Sequence, residues 1–343
     1  MKSTLALASL GATALGQQQF FNPHSAHATV NGFGAIQVKE DGVDKTLYLT
    51  PACSTSGGKI DCAENKRATL SATPSLDPEG FYKPHLVGGS VEYDVDLSQM
   101  ECGCVAALYT VTLPAVGGDG KPVNTDGYYY CDANDITGAW CPEFDIMEAN
   151  KYSWRTTPHS CDGNGPTYWN CDRGGQQATD LQQKGVLGPG KNIDTNRPIH
   201  VKIEFATTSY TLTVSQGDHQ DVSHVDNGYL NGLSGPLDGN MAFVVSSWRS
   251  DDGISWLQHG ACGGTCTNNP SLAFSNLEFH TGGHGPTPGP TPSGNWSYGD
   301  ACGSKADDYC DGSCDCRWSW PQSGSWSDPD AACRCKPHST RLN

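Results

Sequence analysis

The segment Gly89-Ser-Val-Glu-Tyr-Asp-Val-Asp-Leu97 alternates polar and apolar residues along its length. Because successive side chains of a β-strand point to opposite faces, this alternation predicts a strand with one buried and one solvated face. No segment shows the period of an amphipathic helix for more than three turns, so the sequence predicts an all-β, antiparallel β-sandwich. Similar strand-like runs, separated by Gly, Asn, Asp and Pro, are Ala106–Leu113, His200–Phe205, Tyr210–Val214 and Met241–Val245.

The composition supports the same fold class and limits the partners. The chain has 343 residues, with 41 Gly, 21 Pro and only 17% charged residues, which favours short strands and turns over long helices. The net charge of −16 repels phosphate backbones, so we expect no nucleic acid partner. After the first residues no segment approaches the length of a spanning helix, so we expect no membrane partner either. A neutral polysaccharide remains compatible with this surface.

The N-terminal residues are typical of a secretory signal peptide. They contain one Lys, an apolar run from Leu5 to Leu15, and small residues before Gln17. This layout predicts a signal peptide over residues 1–16 and a secreted, extracellular protein.

The sixteen cysteines indicate disulfides, as expected for an oxidising compartment. Ten lie in Cys53–Cys266 and six in Cys302–Cys335, so each block can form its own bridges. Paired Cys-x-x-Cys ligands are missing, so we expect no metal, and nothing in the sequence calls for a cofactor.

Residues 281–294 form a Pro-, Thr- and Gly-rich segment with nothing to bury, which predicts a linker. The catalytic domain is therefore expected over residues 17–280, as a monomer. Residues 295–343 carry six cysteines and four tryptophans, too many aromatic rings for so small a unit to bury completely. We interpret them as a carbohydrate-binding module; a protein-contact or purely protective module is the alternative.

The segment Glu143-Phe-Asp-Ile-Met-Glu148 places three acids in an otherwise apolar strand. A retaining glycoside hydrolase needs a carboxylate nucleophile and a carboxylic acid about 5–5.5 Å apart. On a regular strand Glu143 and Asp145 share a face, whereas Glu148 points to the other side. A β-bulge near Ile146 or Met147 would return Glu148 to the shared face, so the sequence predicts such a bulge.

These positions suggest the catalytic roles. Glu143 is expected to be the ionised nucleophile and Glu148 the general acid and later the base, with a pKa raised by neighbouring negative charge and partial burial. Asp145 is expected to orient and acidify Glu143. The alternative is an exposed acidic strand edge, but the apolar residues between the acids favour a half-buried strand.

The residues around these acids carry a family resemblance. The segments Cys141–Asn150 and Thr157–Cys161 closely resemble the active-site signature of glycoside hydrolase family 7, the family of fungal-type cellobiohydrolases and endoglucanases. The resemblance covers roughly residues 87–280 and implies a concanavalin A-like jelly roll with a substrate cleft and cleavage of a β-1,4-glucan. Further similar segments are Val91–Gln99 with Cys102, Ala107–Tyr109, Tyr130–Asp132, Gly188–Gly190 with Phe205, Val245–Trp248 and Phe274–Phe279.

The resemblance also implies functions for individual residues. It assigns His159 to the neighbourhood of the leaving-group sugar, although a loop histidine is the alternative. It assigns Trp248 and Trp256 as platforms on which sugar rings stack, with core packing as the alternative. The positions that would contact substrate or support the nucleophile are Tyr109, Tyr130, Asp132 and Asn134.

The disulfide pattern is assigned partly by the same resemblance. It implies a Cys131–Cys141 bridge between the segment before the site and the catalytic strand, and it pairs Cys102 near Cys266. The remaining assignments are Cys104–Cys262 beside that bridge, with a local Cys262–Cys266 bridge as the alternative, and Cys161–Cys171 and Cys53–Cys62 by proximity.

Several features depart from the family pattern. The stretch between Cys131 and Cys141 and the region 161–190 are short, and these regions build the tunnel walls of exo-acting members. The short segments therefore predict an open cleft and endo cleavage. Val105 replaces an Asn usual near the nucleophile, which could alter the ionisation or position of Glu143.

Three alternatives remain at the sequence level. One is exo action of the cellobiohydrolase type, and another is a family 16-like β-1,3- or mixed-linkage glucanase. The third is a lectin-like polysaccharide-binding protein without catalysis. The retained acids and His159 argue against the third, and the segment Thr157–Cys161 argues against the second.

Overall fold

The computed structural model describes residues 33–283, except 57–58, 63–64, 125, 164, 177, 251–253 and 267–271. The described residues belong to a compact unit that ends at Gly282. The expected signal peptide, nearly all of the linker and the expected module over 295–343 lie outside the described residues.

The described residues form fifteen strands and few helical turns. Two three-residue 3-10 helices, Pro78–Gly80 and Gly228–Leu230, accompany two short α-helices, α1 (Asn231–Leu237) and α2 (Ser255–Gln258). Within this part of the chain, neither α-helix has the length or the apolar character needed to span a bilayer. The strands are β1 (Gly34–Glu40), β2 (Val43–Leu49), β3 (Ser54–Ser56), β4 (Lys59–Cys62), β5 (Lys66–Ser71), β6 (Ser90–Asp96), β7 (Cys104–Thr112), β8 (Glu143–Asn150), β9 (Ser153–His159), β10 (Thr179–Asp180), β11 (Ile199–Phe205), β12 (Ser209–Gln216), β13 (His219–Asp226), β14 (Met241–Arg249) and β15 (Leu272–His280).

All strands but β3 and β4 form one continuous path that folds back on itself into two layers, and β4 pairs with β3 and β15 off this path. The inner layer has the order β10-β9-β8-β7-β14-β5, and the outer layer has the order β2-β1-β15-β6-β11-β12-β13. The two layers are joined where β5 pairs with β2 through Leu70 and Ser71. Neighbouring strands run antiparallel, apart from β1 and β15, which pair in parallel. The prediction of a β-sandwich is confirmed, and each of the five strand-like runs of the sequence lies within a strand or extends beyond it by at most one residue at either end.

The main hydrophobic core lies between the two layers. Phe144 of the inner layer contacts Phe205 and Tyr210 of the outer layer edge to face, with ring centroids 5.2 and 5.3 Å apart. Phe243 and Phe279 make a similar contact at 4.9 Å. Edge-to-face aromatic pairs add stabilisation to that of buried apolar area, so these pairs fix the layers against each other. The opposite face of the inner layer is left free to form the cleft.

Five disulfides stabilise the described residues. Cys53–Cys62, Cys131–Cys141 and Cys161–Cys171 form as predicted. The predicted pairing of Cys102 with Cys266 is wrong, because Cys102 bonds to Cys262 and Cys104 bonds to Cys266.

The position of residue 266 explains this correction. A Cβ atom at Gly103 would lie only 2.4 Å from the backbone nitrogen of Cys266, so the 265–266 segment runs directly over Gly103. Cys104 and Cys266 are both buried in the main core, whereas Cys262 lies half-buried at its rim. The deeper cysteines therefore pair with each other, and the outer ones do the same.

Candidate active site

A cleft lies on the inner layer and crosses several of its strands. Its floor is built from five adjacent strands, β5, β14, β7, β8 and β9, and one rim is the loop that carries Arg173 and Gly174. Since neighbouring strands lie about 4.8 Å apart, these five strands span roughly 19 Å. The lining side chains include Arg67, Ser246, Trp248, Ala107, Tyr109, Glu143, Asp145, Glu148, Arg155, Thr157, His159, Tyr130, Asp132, Asn134, Ile136 and Trp256.

The predicted bulge lies in the middle of β8. Asp145 is opposite Thr157 of β9 and Glu148 is opposite Arg155, so Ile146 and Met147 together face the single residue Thr156. The pairing with β7 shifts at the same place. Ile146 and Met147 are both fully buried in the main core. Because these two consecutive side chains both point into the core, the next side chain, that of Glu148, points to the same face as Glu143 and Asp145. All three acids therefore face the cleft.

Thr156 satisfies the backbone that the bulge leaves unpaired. Its hydroxyl donates a hydrogen bond to the carbonyl oxygen of Ile146 at 2.7 Å. The same hydroxyl accepts a hydrogen bond from Nε1 of Trp154 at 3.2 Å. Thr156 and Trp154 are both fully buried, so water cannot replace these bonds.

Glu143 is buried at the start of β8, opposite His159. Its Oε2 accepts a hydrogen bond from the backbone N–H of Ala133 at 3.0 Å. Burial raises the pKa of Glu143, and the charges of Asp145 and Asp132 raise it further, whereas the Ala133 N–H lowers it. The Ala133 N–H group therefore favours the ionised form of Glu143, whereas burial and the neighbouring charges favour its protonated form.

Glu148 is half-buried and lies across the strand from Arg155. Burial and the charge of Asp145 raise the pKa of Glu148, and the Arg155 guanidinium partly offsets this rise. The raised pKa predicted for the general acid is thus present in the structure, and its first cause is burial. Arg155 itself donates a hydrogen bond from Nη1 to the carbonyl oxygen of Trp256 at 3.2 Å.

Asp145 forms an ion pair with His159. Asp145 Oδ2 lies 2.9 Å from His159 Nε2, and the other ring nitrogen, Nδ1, lies 2.8 Å from the carbonyl oxygen of Asp172. Burial lowers the pKa of His159, but the Asp145 hydrogen bond and charge outweigh this effect and leave the pKa raised. With an acceptor on each nitrogen, the imidazolium form is favoured.

Two tyrosines and an arginine form the floor beside Asp145. Tyr109 lies opposite Asp145 on β7, and its hydroxyl is 2.9 Å from the hydroxyl of Tyr130. The Arg67 guanidinium lies over the Tyr130 ring and forms a salt bridge of 3.1 Å with Asp126. Burial raises the pKa of Tyr109. Both tyrosines therefore face the cleft as neutral hydrogen-bonding groups.

Trp248 and Trp256 lie half-buried at the Glu148 end of the cleft. Both pack against a small cluster of Val105, Ile254 and Leu257. The expectation that Val105 influences Glu143 is wrong. Val105 pairs with Trp248, whereas Glu143 pairs with Val111, six residues further along β7, or about 20 Å.

The structure brings every predicted site residue to this one cleft, including the expected substrate contacts of the Cys131–Cys141 region. The sequence interpretation missed Arg67 and Arg155, as well as the supporting hydroxyl of Thr156. Arg155 carried a signal, because Arg155, Thr157 and His159 share a face of β9 by their two-residue spacing. Across the described residues, no cluster of three His, Cys, Asp or Glu has a geometry that could hold a metal ion.

Comparison with known proteins points to cellulases. The chain is 24% identical over 287 residues to Endoglucanase EG-1 of Hypocrea jecorina, and the similar region covers 69% of this chain. It spans 61% of the length of that relative. No family model matches the sequence.

Solved structures of cellulases share the fold. A Humicola insolens endocellulase EGI variant superposes with a TM-score of 0.62 at 18% identity, covering 75% of this chain and 98% of the other. A GH7 family cellobiohydrolase from Daphnia pulex gives a TM-score of 0.55 at 16% identity, covering 75% and 98%. These superpositions show that the chain shares the fold of these cellulases.

Proposed function

We propose that this chain, as a member of glycoside hydrolase family 7, is a secreted retaining endoglucanase that cleaves internal β-1,4-glucosidic bonds of cellulose or a related glucan. The observation that carries this proposal is the bulge in β8, which turns three carboxyl side chains toward one cleft. An exposed acidic strand edge would not need a bulge, a buried Glu143 or an Asp145–His159 pair.

In the proposed reaction, the Glu143 carboxylate attacks the anomeric carbon and forms a covalent glycosyl ester. Glu148 donates its proton to the glycosidic oxygen as the bond to the leaving sugar breaks. Glu148 then removes a proton from water, which attacks the ester and releases Glu143. The first step needs Glu143 ionised and Glu148 protonated, whereas the second needs Glu148 ionised so that it can accept the proton of water.

The electrostatic environment supports this division of roles. Two nearby buried carboxyl groups resist simultaneous ionisation, so the pair holds one proton over a wide pH range. The Ala133 N–H favours negative charge on Glu143. Asp145 adds negative charge near both glutamates and is held in place by His159.

Endo cleavage is supported by the shape of the rims. The Cys131–Cys141 loop and the Cys161–Cys171 loop are each closed by a disulfide across a separation of only 10 residues. Asn134 in the first loop and Arg173 and Gly174 directly after the second remain exposed. Short, exposed rims would let a glucan chain enter from the side. Secretion, the linker and a glucan-binding role for residues 295–343 belong to the same proposal.

The test is an assay of the purified protein on carboxymethylcellulose, laminarin and crystalline cellulose, together with Glu143→Gln and Glu148→Gln. We expect wild-type hydrolysis of carboxymethylcellulose with early loss of viscosity relative to the number of reducing ends. Both variants should lose more than about 100-fold in kcat, because each removes a group that acts in the transition state. Proton NMR should show the β-anomer as the first product.

Each alternative has its own outcome. A preference for laminarin would indicate the family 16-like specificity, and reducing ends that accumulate without viscosity loss would indicate exo action. Binding of glucan without hydrolysis would indicate a lectin-like protein. Activity that survives in Glu143→Gln would refute the two-carboxylate mechanism.

A further inference from the structure

Arg155 lies in the cleft with hydrogen-bonding capacity that the protein does not use. Its Nη1 donates to the Trp256 carbonyl oxygen at 3.2 Å, and its Nε is buried with no hydrogen-bond partner among the described residues. In that part of the chain, no carboxylate oxygen lies within 4 Å of its guanidinium nitrogens, although Glu148 on β8 and Asp180 on β10 flank it in register. Asp180 instead forms a 2.8 Å ion pair with His259.

Arg155 lies directly opposite Glu148, the residue proposed to protonate the leaving group. The cleft runs across the strands, and Arg155, Thr157 and His159 occupy the same face of β9. A glucan held over Glu143 and Glu148 on β8 therefore extends over β9 on one side. On that side a hydroxyl group of the next sugar can accept a hydrogen bond from Nη2 of Arg155, which, unlike Nε, is not among the buried atoms without a partner.

The hydrogen bond to Trp256 gives Arg155 a second effect. It connects β9 to the 254–258 turn, whose Trp256 side chain lines the same end of the cleft. An arginine with one N–H group engaged in this way has a fixed orientation, so fewer rotamers are lost when it contacts a sugar.

We propose that Arg155 is a positioning residue of the leaving-group site, which holds the sugar that Glu148 protonates and keeps Trp256 beside it. This inference rests on the proposed glucanase function and adds to it a determinant of the leaving-group site. The free donors fit the hydroxyl groups of a neutral glucose unit.

The charges around Glu148 predict a second signature. On its own strand, Glu148 shares the cleft face with Asp145 and Glu143. The charged residues and the histidine on that face of the neighbouring strands are Arg155 and His159 of β9 and Asp180 of β10. The residue opposite Glu148 on β7 is Ala107, which is uncharged. Arg155 lowers the pKa of Glu148, so its removal should raise that pKa. The alkaline limb of activity, which reports the loss of the Glu148 proton, should then move to higher pH.

The experiment compares Arg155→Gln and Arg155→Lys on two substrates. Cellopentaose places a sugar in the leaving-group site and needs protonation by Glu148. 2,4-Dinitrophenyl β-cellobioside has a leaving group that is not a sugar and needs no proton. Arg197→Gln, on the surface and outside the cleft lining, is the matched control. We expect Arg155→Gln to reduce kcat/KM on cellopentaose by about 10- to 100-fold, the effect of losing a charged hydrogen bond.

The same variant should change kcat/KM on the aryl substrate less than about threefold. Arg155→Lys should retain the wild-type alkaline limb and part of the cellopentaose activity. Equal losses on both substrates would show a merely structural role, and no loss on either would show that Arg155 does not contact the leaving sugar. Either result overturns the inference while Glu143→Gln remains inactive. Activity in Glu143→Gln would instead refute the proposed function itself.

Discussion

Thr156→Val tests whether the bulge that presents Glu148 depends on one buried hydroxyl. Valine has nearly the shape of threonine, so the substitution removes hydrogen bonds without opening a large cavity. It leaves the Ile146 carbonyl and the Trp154 N–H without their partner, in a region where Thr156, Trp154 and Ile146 are all fully buried.

The magnitude follows from these two groups. A buried polar group that loses its partner costs about 1–3 kcal/mol. Two such groups give about 2–6 kcal/mol, and the additional buried methyl group offsets about 1 kcal/mol. We therefore expect Thr156→Val to lower the free energy of unfolding by about 1–5 kcal/mol. For a domain of this size, that corresponds to a decrease in Tm of roughly 2–20 °C.

Urea unfolding and thermal scans of wild type, Thr156→Val, Thr156→Ser and Thr157→Val give the comparison. Serine retains the hydroxyl and should restore most of the stability. Thr157 is adjacent and also buried, but it lines the cleft and supports no backbone group of the bulge, so its substitution should cost less than about 1 kcal/mol. If Thr156→Val unfolds like wild type, the hydroxyl does not support the bulge and the reasoning is refuted.

Three further predictions follow from the same structure. The Cys102–Cys262 and Cys104–Cys266 bridges each span about 160 residues but lie side by side, so either one alone keeps the long loop closed. Removing either should lower the free energy of unfolding by only about 2 kcal/mol, whereas removing both should lower it by about 7 kcal/mol. Urea unfolding of the Ser variants can measure both values. His159→Gln removes a histidine with a raised pKa, so the stability advantage of wild type should be largest below about pH 6.5 and fade as pH rises through that raised pKa; an advantage independent of pH would contradict this. Trp248→Ala should raise KM for cello-oligosaccharides about 2- to 12-fold, the loss of one aromatic contact, and an unchanged KM would assign Trp248 to packing alone.

Much of the site could be predicted because strand geometry is strict. The two-residue period determines which face each side chain of β8 occupies, so the spacing from Asp145 to Glu148 required a bulge if all three acids serve one reaction. The apolar residues between the acids required the other face of the strand to be buried. The spacing of the three acids, together with the requirement that they act at one site, thus predicted both the bulge and its position.

The missed residues depend on contacts between distant segments. Arg67 looks like an ordinary polar position in an alternating strand, and Arg155 is marked only by its spacing from His159, because the residues that complete the cleft come from distant segments. The disulfide pairing of Cys102 and Cys104 likewise depends on where the 265–266 segment crosses Gly103. The sequence of a strand shows which of its side chains share a face. It does not show which distant segment will pack against that face.

Thr156 shows how the catalytic strand and its neighbour depend on each other. A bulge that turns Glu148 into the cleft must leave a backbone group without its ladder partner, and in a buried strand that group needs another donor. β9 supplies this donor at Thr156, and the residues on either side of it, Arg155 and Thr157, face the cleft. The same three-residue segment therefore stabilises the bulge and lines the proposed leaving-group site. A change in the register of β9 would disturb both together, so a single strand pairing sets the position of Glu148 and of the sugar that we propose it protonates.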